Sequence, residues 1–407
     1  MRQSSQPGSP AYLRVEGDRL LAFARKARLP DWGFGWLDSD GSVLADNTVH
    51  TYITARMTHV FSLAALIGHD WAVEYVDHGI AALTGPLHDD QYDGWHTATD
   101  RAGRPLANEK VAYPHVFVVL AAASATIAGR PGAAELLTRA LRVIEQRFRE
   151  PDSGLLREKW DRRWRSLDTY RGGNSNMHAI EALLAASDAT GDAALADQAL
   201  EIADFLANTV ARRAQWRVVE HFDENWVPLW GYNQEHPADP FRPFGATVGH
   251  GIEWSRLLLH LRTARPDSDW LLPAARHLFS SAQNDGWNAD AHEGFLYTVD
   301  WDGKPVVSER LHWVIAEAAG AAAVMHHVTG DPAYQLRYDE WWQWAEDHFI
   351  DRHAGSWHHE LDVSGTPSST IKRGKADIYH AFQATLLPVS PLTASLASAL
   401  RAARTRV

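Results

Sequence analysis

The chain has 407 residues, with 39 basic against 51 acidic side chains for a net charge of −12 with histidine neutral, 18 Trp and no Cys. Disulfides, thiolate metal sites and cysteine nucleophiles are therefore excluded, and the lack of a basic block argues against nucleic acid as a partner. No run of 18 apolar residues occurs and the first residues, "MRQSSQPGSPAYLRVEGDRL", contain no apolar core, so neither a membrane span nor a secretory signal is expected and a cytoplasmic protein is the default.

Taken in chain order, one pattern recurs about every 60 to 75 residues from around residue 49. Its openings are "NTVHTYITARMTHVFSLAAL", "NEKVAYPHVFVVLAAASA", "RGGNSNMHAIEALLAASDATGD", "GATVGHGIEWSRLLLHL", "SERLHWVIAEAAGAAAVMHHVTGD" and "KADIYHAFQATLLP". Each begins with polar or aromatic residues and runs into an apolar, small-residue-rich helix. Gly68-His69-Asp70, Gly191-Asp192 and Gly330-Asp331 supply turns that close several of them. A more polar, amphipathic helix follows, as in "PAYQLRYDEWWQWAEDHF". Next comes a hairpin-like stretch such as "DGWHTATDRAGRP" or "GFLYTVDWDGKPV", where Asp-Gly and similar pairs carry the turn.

A helix that is apolar all round is packed on all sides, whereas an amphipathic one meets water. Six such pairs stacked side by side bury a continuous core. An open solenoid would need polar end caps, and none is evident. The expected fold is all-α: an (α/α)6 barrel with short β-hairpins in the connecting loops, residues 1–407 forming one catalytic domain.

If the inner helices start at one end of the barrel, their polar residues converge there. Those residues are Arg56, Tyr113, His115, Asn174, His178, His250, Glu253, Trp313, Glu317 and His380, with Arg242 just before the fourth helix. Asn174 and His178, His250 and Glu253, and Trp313 and Glu317 lie three or four apart, so each pair shares a helix face. Capping and core hydrogen bonding account for any one of them, with Asn174 as an N-cap and the glutamates paired to Arg. The recurrence of polar groups at one register in six helices favours a shared pocket. Gly249 and Gly251 are expected to leave His250 open to close approach by substrate.

HExxH and i, i+4 histidine pairs are missing from the helix starts, the adjacent pairs His326-His327 and His358-His359 point apart, and no EF-hand spacing occurs. No metal is expected. GxGxxG after a strand, the P-loop and the GxSxG elbow are absent too, so no cofactor is expected. What remains suits acid/base work on a polyhydroxy substrate, and the Trp surplus either lines a sugar site or fills the core.

In these residues the chain resembles the N-acylglucosamine 2-epimerase superfamily of (α/α)6-barrel sugar epimerases and isomerases. The matching stretches are "RGGNSNMHAIEALLAA", "GHGIEWSRLLL", "LHWVIAEAAG" and "GKADIYHAFQATLLP", in the family's order. "AYPHVFVVLAAASA" and "GHGIEWSRLLL" look most like the mannose isomerase and sulfoquinovose isomerase branch. The resemblance implies a metal-free mechanism on a free reducing monosaccharide. His250 and His380 would be the acid/base catalysts. Arg56, Tyr113, Asn174, His178, Arg242, Glu253, Trp313 and Glu317 would contact substrate.

The implied activity is interconversion of D-mannose and D-fructose, with D-lyxose and D-xylulose as a second pair, by a monomer or homodimer. Removal of the C2 proton gives an enediol; return at C1 gives a ketose, and return to the opposite face of C2 gives an epimer. His380 is expected to be the C2 base and His250 the ring-opening partner. Sulfoquinovose isomerisation and 2-epimerisation are the alternatives within the family. A glycoside hydrolase using Glu253 and Glu317, or a non-catalytic sugar binder, is the alternative outside it.

Overall fold

The structure, a computed structural model, describes residues 6–404; residues 1–5 and 405–407 of the expected domain lie outside them. The described helices are α1 (Pro10–Ala24), α2 (Thr51–Leu66), α3 (Val73–Thr84), α4 (Ala112–Ile127), α5 (Ala133–Val143), α6 (Gly173–Thr190), α7 (Ala194–Ala203), α8 (Val248–Ala264), α9 (Leu271–Gly286), α10 (His312–Thr329), α11 (Pro332–His348), α12 (Tyr379–Leu386) and α13 (Leu396–Arg404). The even-numbered helices form the inner ring, each packed on the next, with α12 returning to α2. Every residue of α2 is buried, whereas α11 buries only Tyr338, Trp341, Trp342, Trp344 and Ala345. The two kinds of helix thus follow from their apolar patterns. The ring is closed, as an (α/α)6 barrel requires.

The last pair departs from the repeat. Among the described residues no outer helix follows α12; its partner is α1, from the other end of the chain. Ser9 caps α1, accepting from the Tyr12 N–H at 3.4 Å, with Pro10 at the first turn. Helix α13 packs across the far end of the barrel against α2, α4 and α6. Gly191 and Gly330 end α6 and α10 in left-handed conformations, φ 76° and 68°, as the Gly-Asp turns foretold.

Short antiparallel pairs tie the mouth of the barrel together. The strand before each inner helix pairs with the hairpin that leads to the next: Thr48–His50 with Ala98–Asp100, Glu109–Val111 with Lys159–Asp161, Arg171–Gly172 with His221–Phe222, Ala246–Thr247 with Thr298–Val299, and Arg310–Leu311 with Glu360–Leu361. The Lys375 N–H closes this girdle by donating to the Leu37 carbonyl at 2.9 Å. Each hairpin turn has an aspartate, and the third residue after it is left-handed. Asp38, Asp100, Asp161, Asp223, Asp300 and Asp362 are followed in this way by Gly41, Gly103, Trp164, Trp226, Gly303 and Gly365. Asp100 shows the mechanism: its Oδ1 accepts from the Ala102 and Arg104 N–H groups, both at 2.9 Å. Two of the six turns place a tryptophan where glycine is preferred, so Asp-Gly pairs alone reveal only part of this repeat.

Candidate active site

Inside the girdle lies a cavity of about 220 Å³ whose lining includes Arg56, Tyr113, Asn174, His178, His250, Trp313 and His380. Its volume falls below the roughly 300–1,000 Å³ of pockets for drug-sized ligands, which suits one small sugar. On one side His250 and His380 flank the Trp313 indole, with ring centroids 4.9 and 5.7 Å from it. Each histidine turns Nδ1 to its own buried carboxylate: His250 to Glu220 Oε1 at 2.5 Å, and His380 to Glu317 Oε1 at 2.8 Å. A carboxylate only accepts, so each Nδ1 carries the proton and each Nε2 is left for the cavity. Burial, then the Arg56 charge, holds His380 well below the ordinary imidazole range and hence neutral. Burial pushes the Glu220 carboxyl up, but electrostatic attraction to the His250 imidazole and its hydrogen bond, joined by His221 and Thr247, more than offset this and keep it low.

The opposite side is built by α2, α4 and α6. Arg56 Nη2 donates to the Tyr113 hydroxyl at 2.6 Å, and Nη1 lies 3.3 Å from Asp377 Oδ2. The guanidinium also rests on the Phe117 and Tyr379 rings, 4.4 and 4.7 Å from their centroids. Helix α6 starts at Gly173 and Gly172 occupies the N-cap. Asn174 is therefore not a cap; it lines the cavity, with a buried Oδ1 that has no protein partner.

Several expected residues sit elsewhere. Glu253 and Glu317 do not line the cavity; they lie behind His178 and His380 at 0% and 2% exposure. Glu253 Oε1 is 3.7 Å from His178 Nδ1. Burial and then the adjacent Glu317 raise the Glu253 carboxyl well above its usual range, favouring the protonated form. Arg242 stacks over Tyr170, 4.1 Å from the ring centroid, with Nη2 3.8 Å from Glu158. It is not in the cavity lining. His115 is a structural clamp: Nδ1 faces the Val111 carbonyl at 2.7 Å and Nε2 accepts the Trp95 N–H at 2.9 Å.

The flanking glycines also differ from expectation. A Cβ on Gly249 would stand 2.4 Å from Trp313 Cζ3, and one on Gly251 would stand 3.0 Å from the Ala282 Cβ. They make room for packing, the first for the tryptophan between the two histidines.

Among the described residues, Glu253, Glu317 and His380 are the group whose ligand atoms lie close enough to share a metal ion, within 4.8 Å of one another. Positive charge is already present there, because Arg256 Nε lies 2.8 Å from Glu317 Oε2 and Nη2 lies 3.6 Å from Glu253 Oε1. A divalent ion would sit against that guanidinium. The same placement removes Glu253 and Glu317 as paired catalytic carboxylates, since neither faces the cavity.

The model of the N-acylglucosamine 2-epimerase (GlcNAc 2-epimerase) family matches residues 33–384. The chain belongs to this family. Its relatives include a D-mannose isomerase of Thermobifida fusca, 52% identical with 96% of each chain covered. A D-mannose isomerase of Pseudomonas cannabina pv. alisalensis is 48% identical, covering 97% of this chain and 96% of that one. A crystal structure of a D-mannose isomerase superposes with a TM-score of 0.88 at 29% identity, covering 95% of this chain and 99% of that one. The chain is an isomerase of the mannose isomerase branch. Among the described residues, no helix is long and apolar enough to cross a membrane.

Within this family site, sequence reasoning missed Glu220, Arg256, Asp377, His312 and His359. Arg256 carried a usable signal, being three residues after Glu253 on α8. His312 directly precedes Trp313, and His359 belongs to one of the adjacent pairs expected to point apart. They do: His359 lines the cavity while His358 lies 3.9 Å from Asp351.

Proposed function

We propose that this protein interconverts D-mannose and D-fructose, and D-lyxose and D-xylulose, through an enediol, with His380 as the C2 base and His250 as the ring-opening partner. The observation that carries the reading is the pair of carboxylate-oriented histidines on either side of Trp313, facing one sugar-sized cavity. Two relatives at 52% and 48% identity that bear the name D-mannose isomerase support the choice of sugar over 2-epimerisation.

In this scheme His250 assists proton movement from O1 to O5 as the ring opens. Neutral His380 then takes the C2 proton through Nε2, and the electron pair forms the C1–C2 double bond. The carbonyl π pair moves to O1, which takes that proton from His380. His250 then takes the O2 proton and returns it at C1 as the C2 carbonyl forms, so the ketose is complete and both imidazoles are neutral again. Arg56, held by Tyr113 and Asp377, places positive charge on the far side of the cavity, where it stabilises the developing enediolate. Glu317 and Glu220 keep the two imidazoles in the working tautomer. Glu253 backs His178, and Arg242 supports the wall outside the cavity. The same reading takes residues 1–407 as one catalytic domain, free in the cytoplasm as a monomer or homodimer, with free monosaccharide as its partner and no metal or cofactor.

The test is ketose formation from D-mannose, with and without deuterium at C2. Wild type should show a primary isotope effect. His380→Ala and His250→Ala should each lose roughly 10²–10⁴-fold in turnover, and slowed ring opening in the His250 variant should mask the isotope effect. Near wild-type turnover in both variants would sink the mechanism.

A further inference from the structure

The proposed chemistry uses His250 and His380 but leaves three other cavity histidines, His178, His312 and His359, without a task, and the last two lie together. His312 opens α10 and His359 precedes the strand Glu360–Leu361. Their rings stack with centroids 3.7 Å apart and planes 12° from parallel. They are 6% and 8% exposed, and both line the cavity.

Their outer nitrogens are already committed. His312 Nδ1 lies 3.3 Å from the His359 carbonyl, which also accepts the His312 backbone N–H at 3.2 Å. The Asp377 backbone attracts the His359 ring, and with Nε2 unpartnered that contact falls to Nδ1. A carbonyl only accepts, so both Nδ1 atoms carry protons, and burial keeps the rings neutral, with His312 lowered to about 4. Each Nε2 is then a bare acceptor, and each is a buried atom without a protein partner. Two unpartnered acceptors on neighbouring rings are costly in an interior unless something donates to them. Among the described residues no third ligand atom converges with them as a metal site would need.

We propose that His312 and His359 form a hydroxyl-reading subsite, accepting hydrogen bonds from two hydroxyls of the bound sugar beyond its reacting carbons. The inference rests on the monosaccharide reading of this cavity and deepens it: the protein selects sugar chains whose distal hydroxyls reach this wall. A site built to receive a hydroxyl rejects an analogue that lacks it, because its own polar groups are then left unpaired.

The experiment is calorimetric titration with D-mannitol and its monodeoxy analogues, which have no carbonyl and cannot turn over. His312→Phe and His359→Phe keep the stacked rings and remove the acceptors; His312→Gln and His359→Gln carry an oxygen near the former Nε2 position. Removing one distal hydroxyl should weaken wild-type binding by about tenfold, in line with the loss of a buried hydrogen bond. The same removal should change nothing in the matching Phe variant, each Phe variant should bind D-mannitol at least about tenfold more weakly, and Gln should recover part of the loss. Wild-type affinity in both Phe variants, or no binding of any of these polyols to the wild-type protein, overturns the subsite. Ketose formation from D-mannose by the wild-type protein is the separate readout. Its absence with hydroxyl discrimination intact would sink the isomerase reading alone, and normal turnover with flat discrimination would sink the subsite alone.

Discussion

Glu220→Gln is the sharpest perturbation of the proposed chemistry. Glu220 is 3% exposed and lies 2.5 Å from His250 Nδ1. Gln has the same shape, so packing is kept while the charge is lost. The amide can accept from Nδ1–H only in one orientation; in the other its NH2 meets Nδ1 and selects the tautomer with Nε2 protonated. The transient His250 imidazolium also loses its buried counter-charge. A positioned acid/base group contributes roughly 10²–10⁴-fold, and about 1.4 kcal/mol corresponds to each tenfold. The expected loss in kcat/KM is therefore about 3–5.5 kcal/mol, at the low end if the accepting orientation dominates. Initial rates of ketose formation from D-mannose measure it, and a thermal melt checks that the fold is intact. A folded variant within about threefold of wild-type kcat/KM, under 1 kcal/mol, would refute the orienting role of Glu220.

Glu253→Gln tests the protonated carboxyl. The folded-state pKa is raised above the ordinary 4.5, so the stability this group contributes is complete below that pH and is lost as pH rises toward the folded value. The Tm of the variant relative to wild type should therefore climb from pH 4 to pH 8, and a flat difference would refute the buried neutral form. Gly249→Ala, whose Cβ would stand 2.4 Å from Trp313, should displace the indole and cost about 1–3 kcal/mol together with most of the turnover. Gly251→Ala, facing Ala282 on the outer side, should cost stability without that loss of turnover. Prolonged chelation should leave ketose formation intact; full loss restored by one divalent ion would place a metal at Glu253, Glu317 and His380.

The barrel was legible because its physics repeats. Alternating wholly apolar and amphipathic helices have one economical packing, and the positions at which polar residues enter the inner helices recur in register. Local periodicity says nothing about which terminus supplies the last outer helix, so α1 as partner of α12 was not readable. Depth is hidden for a similar reason. His250 and Glu253 are three residues apart and read as one face, yet His250 meets the cavity and Glu253 lies a turn deeper. Glu220 was missed because it lies in a connecting loop outside the repeat register and reaches His250 only through the pairing of Gly172 with His221.

The ring is also divided in a way that bears on mechanism. Helices α8, α10 and α12, consecutive in the ring, supply His250, Trp313 and His380, and each histidine has its own carboxylate. Helices α2, α4 and α6 supply Arg56, Tyr113, Asn174 and His178, with the guanidinium as the fixed charge. In the proposed scheme a sugar between the two halves has its proton-transfer groups on one side and its charge-stabilising group on the other. That arrangement serves an enediolate better than a pair of catalytic carboxylates would. A like-charged carboxylate facing the developing oxyanion would raise the barrier, whereas neutral imidazoles accept a proton without adding negative charge. In the proposed scheme Glu253 and Glu317, kept behind the histidines and beside Arg256, act on the sugar only through the rings in front of them, Glu317 by its hydrogen bond to His380.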